Sequence, residues 1–165
     1  MKDVSTKKMK LNFVDEEKTM KGILCIKVYK HVNGEKRLIE EIEENNLIVN
    51  KAREQMAHLI AGDTEDRSIA SIGFGEDGTT PTVADTSLTD PFIKPVDGFE
   101  YPEESEVQDR VIINWSLDLN EANDMEIKEF GLFCHNGALF CRRVRPKSLN
   151  KLDDLSFEGT WTIIF

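Results

Sequence analysis

The chain contains no apolar run near the ~18–20 residues that span a bilayer. Its first ten residues, MKDVSTKKMK, carry lysines instead of the apolar core of a secretory leader. A membrane-spanning or secreted protein is therefore not expected. Cysteine is scarce and unpatterned: Cys25, Cys134 and Cys141 are odd in number and form no C-x-x-C pair. That argues against a disulfide framework and fits free thiols in a reducing cytoplasm. Positive charge is also short, with 21 basic residues against 31 acidic ones and a net charge of −10. Coating nucleic acid requires concentrated positive charge, so a general nucleic-acid coat is not expected. No heptad or solenoid period appears. What remains is a chain of 165 residues, 39% hydrophobic and 32% charged, enough for one domain with a real core.

The charge is unevenly placed. Residues 1–30 carry eight lysines and four acids, whereas residues 63–109 carry thirteen acids against Arg67 and Lys94. The second stretch also holds Pro81, Pro91, Pro95 and Pro102. Loop chemistry combined with like charge predicts little packed structure there, and a long loop region at about residues 76–106. Directly after a strand come Arg142, Arg143, Arg145, Lys147 and Lys151, with no acid between residues 142 and 151. This cluster reads either as a solvated rim or as the complement of the acidic stretch, within one subunit or between neighbours.

Period-two patterns dominate the rest. Val111, Ile113, Trp115, Leu117 and Leu119 point one way while Asn114, Ser116 and Asp118 point the other, which is a long half-buried strand. Leu24, Ile26 and Val28 approach Asn33-Gly34, and Leu38-Ile39 returns, so residues 22–42 read as a hairpin on a type I′ turn. Phe130, Leu132 and Cys134 approach Asn136-Gly137 in the same manner. Phe157, Trp161, Ile163 and Phe165 predict a last strand, and Leu11 with Phe13 the start of another. Ala52, Met56, Leu59 and Ile60 form a helical stripe over about residues 50–61, capped by Asn50 and closed by Gly62. The expected fold is mainly β: a single-domain antiparallel β-sandwich over residues 1–165 with one packed helix.

No constellation predicts catalysis. Gly73-Phe74-Gly75-Glu76-Asp77-Gly78 spells G-x-G-x-x-G, but Thr79-Thr80-Pro81-Thr82 starts no helix, and the two acids oppose phosphate. These glycines are expected to shape a turn as a strand leaves the sheet. A two-residue turn at Asn136-Gly137 places Cys134 and Cys141 diagonally, at ~7–8 Å, too far for a disulfide. His135 would face away from both, so zinc is not expected. Glu40, Glu41, Glu43 and Glu44 read as a solvated strand end, and His31, His58 and His135 are scattered. Asp63, Glu65 and Asp66 lack a calcium loop's glycine and terminal glutamate.

Four blocks in order resemble a family of structural tail proteins from bacteriophages and contractile injection systems. They are Asn46–Asn50 running into Ala52-Arg53-Glu54 and Leu59–Gly62; Ile72–Gly75 leading through Gly78–Pro81 to Asp85–Leu88; Glu126–Phe133 before Asn136-Gly137 and Leu139-Phe140; and Trp161–Phe165. The resemblance covers about residues 45–165. It implies a non-enzymatic virion protein of the tail, made in the bacterial host's cytoplasm, without cofactor or metal. The implied partners are other tail or baseplate proteins and further copies of the chain in a trimer or ring, not nucleic acid or membrane. Family members extend into a fibre shaft past the last strand, so an adaptor, collar or baseplate role fits better than a receptor tip. The candidate assembly surface is Asp97, Glu100, Glu103, Glu104 and Glu106 with Arg142, Arg143, Arg145 and Lys147. A carbohydrate- or host-surface-binding sandwich is the alternative, although Trp115 and Trp161 are expected in the core, which leaves Tyr101 as an exposed aromatic.

Overall fold

The computed structural model describes residues 20–103 and 108–165. The strand expected at Leu11 and Phe13 lies outside the described residues, as do Glu104 and Glu106. The described elements are β1 (Lys21–Val32), β2 (Glu35–Ile48), α1 (Asn50–Ile60), β3 (Ile69–Gly75), β4 (Phe92–Pro95), β5 (Gly98–Glu100), β6 (Arg110–Leu117), β7 (Glu126–Cys134), β8 (Leu139–Asn150) and β9 (Leu155–Ile164). The strands form one antiparallel sheet in the order β4-β3-β7-β8-β2-β1-β9-β6-β5. The sheet curls until its halves face each other. Phe74 on β3 meets Trp115 on β6 edge-on at 5.6 Å between ring centroids, and Phe130 on β7 completes the cluster.

Both corners of this folded sheet are made by chain shared between the halves. At one, β2 pairs with β1 from Glu35 to Asn46 and with β8 only through Leu47 and Ile48. At the other, β4 and β5 stand at opposite ends of the strand order yet are separated by Val96 and Asp97 alone. Val96 N donates to Ala70 O at 3.1 Å on one half, and Asp97 N donates to Asn114 O at 2.8 Å on the other. Such strand switching is how two-layered β structures turn corners.

Alternation in the sequence builds the core. Leu24, Ile26 and Val28 on β1, Ile113, Trp115 and Leu117 on β6, and Phe157, Trp161 and Ile163 on β9 are all buried. Between Phe157 and Trp161, the inward position is Gly159. A Cβ there would lie 2.4 Å from the Trp115 indole, so the glycine makes room for the ring. Each buried tryptophan removes roughly 150–250 Å² from water.

Several details differ from expectation. Asn33 and Gly34 do adopt the positive φ angles of a type I′ turn, 52° and 81°. At the second Asn-Gly, only Gly137 is left-handed, at φ 80°. Gly137 N donates to Cys134 O, and a register shift follows between Leu132 and Phe133. The turn is therefore the three-residue type with a glycine bulge, although Leu132 still opposes Cys141. Val49, not Asn50, occupies the N-cap of α1, and no side chain caps it. The buried face of the helix is Ala52 and Gln55, whereas Ile60 is 88% exposed. Strand β6 stops at Leu117, leaving Leu119 in the following turn, and Phe165 is exposed. Residues 76–103 are better packed than their composition suggests. They contribute β4 and β5, and Leu88 joins Val49, Phe133 and Leu139 in a second apolar cluster.

Candidate functional site

Strand β8 carries the basic cluster, and side chains on successive strand residues alternate between faces. Arg142 points toward the loop after β3, where it is buried. Its Nε donates to Glu129 Oε2 at 2.9 Å, Nη1 to Asp85 Oδ2 at 2.8 Å, and Nη2 to Asp77 Oδ2 at 3.1 Å. Glu129 is fully buried, and its other oxygen accepts from Thr89 N at 2.9 Å. Gly75 opposes Glu129 across β3 and β7, and a Cβ there would fall 2.4 Å from that oxygen. Asp77 also accepts from the amide and hydroxyl of Thr79, and Asp85 from those of Thr82.

The Thr79 bonds, with Arg142 behind them, hold the Asp77 carboxyl below its ordinary pKa. Burial pulls Asp85 upward, but the bonds from Arg142 and Thr82 outweigh it, so its pKa is also lowered. For Arg142, burial acts to lower the pKa, but Asp85 and Glu129 override it and raise the value. One guanidinium thus ties down both ends of the segment between Asp77 and Thr89.

On the other face of β8, Arg143 Nε donates to Glu44 Oε2 at 2.8 Å and Arg145 Nε to Glu44 Oε1 at 3.2 Å. Glu44 is therefore a bridge between β2 and β8 and not part of a solvated strand end. Arg145 is 7% exposed, and its Nη1 has no hydrogen-bond partner among the described residues. Lys151 is fully buried, with Nζ donating to Asn123 Oδ1, Leu119 O and Leu152 O. Burial lowers its pKa. Lys147 alone of the five is exposed.

The candidate assembly residues therefore separate. Arg142, Arg143 and Arg145 make their ion pairs inside the subunit, partly with the acidic stretch itself through Asp77 and Asp85. The acidic members stay at the surface of the other corner. Asp97 and Glu103 are exposed, and Glu100 accepts from Asn114 Nδ2 at 2.7 Å. Between them, Phe99 and Tyr101 are 48% and 62% exposed, which makes an apolar pair in an acidic frame.

Sequence reasoning missed a polar groove of about 660 Å³ on the outer face of β1, β9 and β6. Lys27, Tyr29, Asn114, Asp118 and Thr160 line it, and the buried Trp115 forms its floor, with an indole Nε1 that lacks a hydrogen-bond partner among the described residues. The outward positions of three strands were visible in the alternation, but their adjacency depends on sheet order. The three cysteines are free thiols, and burial pushes Cys134 up to about 11 and raises Cys141 as well. No cluster of three or more His, Cys, Asp or Glu among the described residues is placed to hold a metal ion. Comparison with known proteins adds no identity: no family model, no curated protein and no solved structure matches the chain.

Proposed function

We propose that this chain is a non-enzymatic structural protein of a phage tail or related injection system, a baseplate, collar or fibre-attachment adaptor that acts by protein–protein assembly. The observation that supports this reading is the convergence of the four resembling blocks, which are separated in sequence but contiguous in the fold. Leu47 and Ile48 pair with Arg142 and Cys141, beside Leu139-Phe140. Phe74 pairs with Phe130, and Leu88 packs with Val49, Phe133 and Leu139. Trp161 Nε1 donates to Asn46 Oδ1 at 2.7 Å, which joins the last block to the first. The resemblance thus falls on one packed unit, as expected of a scaffold.

In this reading the exposed Phe99 and Tyr101, framed by Asp97, Glu100 and Glu103, dock on a neighbour with a basic surface. Antibody labelling of intact particles, together with light scattering of the purified protein, tests it. Label on the tail and a mass several times 18.8 kDa are expected. A monomer absent from particles would end the proposal. The second reading, a carbohydrate- or host-surface-binding module, is favoured only by the groove at Tyr29. Trp115 and Trp161 are too deeply buried to stack on a sugar. Saturable glycan binding lost in Tyr29→Ala would select that reading.

A further inference from the structure

Among the described residues, strand β2 has one long edge without a partner strand. Residues 35–46 pair with β1 on one side, but only Leu47 and Ile48 pair with β8 on the other. Nearer the Asn33-Gly34 turn, a hollow of about 230 Å³ separates Ile39 and Glu40 from residues 147–150 of β8. Residues 35–41 are all exposed, including Leu38 at 49% and Ile39 at 55%. An exposed edge strand is a template for another strand, and charge ordinarily keeps neighbours away from it. Here the charges are ordered: Lys36 and Arg37, then Leu38 and Ile39, then Glu40 and Glu41. The sign inverts about an apolar centre. When a second copy of this stretch runs antiparallel about that centre, Lys36 faces Glu41, Arg37 faces Glu40 and Leu38 faces Ile39, each twice by symmetry.

Residues that oppose each other must also share a face of the sheet. In a regular strand Lys36 and Glu41 would lie on opposite faces, because side chains alternate. A bulge in β2 removes that obstacle. Glu40 opposes Val28 and Leu38 opposes Tyr29, so Ile39 is the extra residue. Lys36 consequently lies over the Tyr29 ring, with Nζ 4.2 Å from its centroid, and Glu41 meets Lys27 at 3.5 Å on the same face. Arg37 and Glu40 take the other face. The present partners of these charges are exposed ion pairs, Lys27 with Glu41 and Arg37 with Glu35 among them, and pairs of this kind are weak enough to exchange. We propose that two copies of the chain pair along residues 36–41 of β2, in a two-fold dimer that runs one sheet across both. The charge order, the bulge and the exposed apolar centre all belong to this stretch, so the inference is independent of the tail-protein reading.

Two charge-inverted variants of the full chain, K36E/R37E and E40K/E41K, test it by sedimentation equilibrium. The parent should show a species of twice 18.8 kDa. Each variant alone sets like charges opposite one another, and its dimer should be at least about tenfold weaker than the parent's. Mixed in equal amounts, the two variants are complementary at every charged position. They should form a one-to-one heterodimer, which also shows that both are folded. Phe99→Ser with Tyr101→Ser should leave the parent dimer intact, which separates this contact from docking at the opposite corner. Deuterium exchange needs no variant: raising the parent's concentration should slow exchange at residues 36–41 and leave β5 unchanged. A monomeric parent, an inverted variant that dimerises alone as tightly as the parent, or a mixture that stays monomeric would overturn the proposal. So would exchange at residues 36–41 that does not respond to concentration.

Discussion

The two faces of β8 use the same residue type to opposite ends. On one, a single guanidinium serves three carboxylates, each of which is also satisfied by a threonine amide. On the other, two guanidiniums share Glu44, and one nitrogen is left over. The first network is closed, in that its members are oriented by one another. The second has unspent capacity. Buried polar networks stabilise a single arrangement when every member is paired and leave a demand when one is not. Thus the interest of the basic cluster lies less in its charge than in how completely each charge is answered.

Breaking the closed face should have the largest effect. Arg142→Met keeps the bulk of the side chain but leaves Glu129 buried without its cation. Removing one partner of a buried pair costs about 3–5 kcal/mol. Urea unfolding should show that loss, and limited proteolysis should cut between residues 77 and 89, since both ends of the segment are released. Gly75→Ala probes the same site from across the sheet. Its Cβ would press on Glu129, a neighbour that Arg142 and Thr89 hold in place, and overpacking of this kind costs roughly 1–3 kcal/mol. If Glu129 swings aside freely, Gly75→Ala will be neutral and the network is looser than its distances indicate.

Glu44→Gln breaks the open face. The amide still accepts one bond but no longer answers two positive charges, which predicts a loss of about 1–2 kcal/mol in urea unfolding. Because the networks occupy opposite faces of β8, the Arg142→Met and Glu44→Gln losses should add to within about 0.5 kcal/mol. Strong coupling would mean that the strand transmits strain between its faces. Acid separates the faces as well. Asp77 and Asp85 have folded pKa values below their ordinary ones, so their contribution is present above about pH 4 and lost as pH falls through the lower folded values. Urea midpoints measured from neutral pH down to pH 3 should fall less steeply in Arg142→Met than in the parent.

These outcomes bear on what the sequence could reveal. The hairpin at Asn33-Gly34, the buried alternation through Trp115 and Trp161, and the short helix are local patterns, and all are legible. The pairing of Arg142 with Asp77 and Asp85 was half legible, because complementary charge identified the stretch but not the partners. Glu129 was hidden in Glu126–Phe133, where it follows Glu126 and Lys128 and alternates with Phe130 and Leu132, as a solvent-facing residue would. Only the approach of Gly75 and Arg142 across two strand pairings makes that position an interior one. Helix α1 misled for a related reason: Ile60 satisfies the helical stripe but is exposed, whereas the polar Gln55 is buried and accepts hydrogen bonds from Asn136 and Arg67. Periodicity reports which face of an element is apolar. The extent of the partner surface is a tertiary property.

The smallest effect on stability should come from the opposite corner, at Phe99 and Tyr101. Both are about half exposed or more, and surface substitutions of this kind usually shift stability by less than about 0.5 kcal/mol. Phe99→Ser with Tyr101→Ser should therefore leave the urea midpoint unchanged and, on the proposed assembly, reduce the mass seen by light scattering. Salt then distinguishes the acidic frame from the apolar pair. At ~1 M salt, screening shortens to about 3 Å. Assembly held by Asp97, Glu100 and Glu103 should weaken there, whereas assembly held by the two rings should persist or strengthen. Loss of mass in the serine variant without salt sensitivity would place the docking energy in the aromatic pair and reduce the acids to orientation. Salt sensitivity with the serine variant intact would reverse that assignment. The corner where β4 hands over to β5 would then act by charge alone, as the basic cluster of β8 was first expected to do.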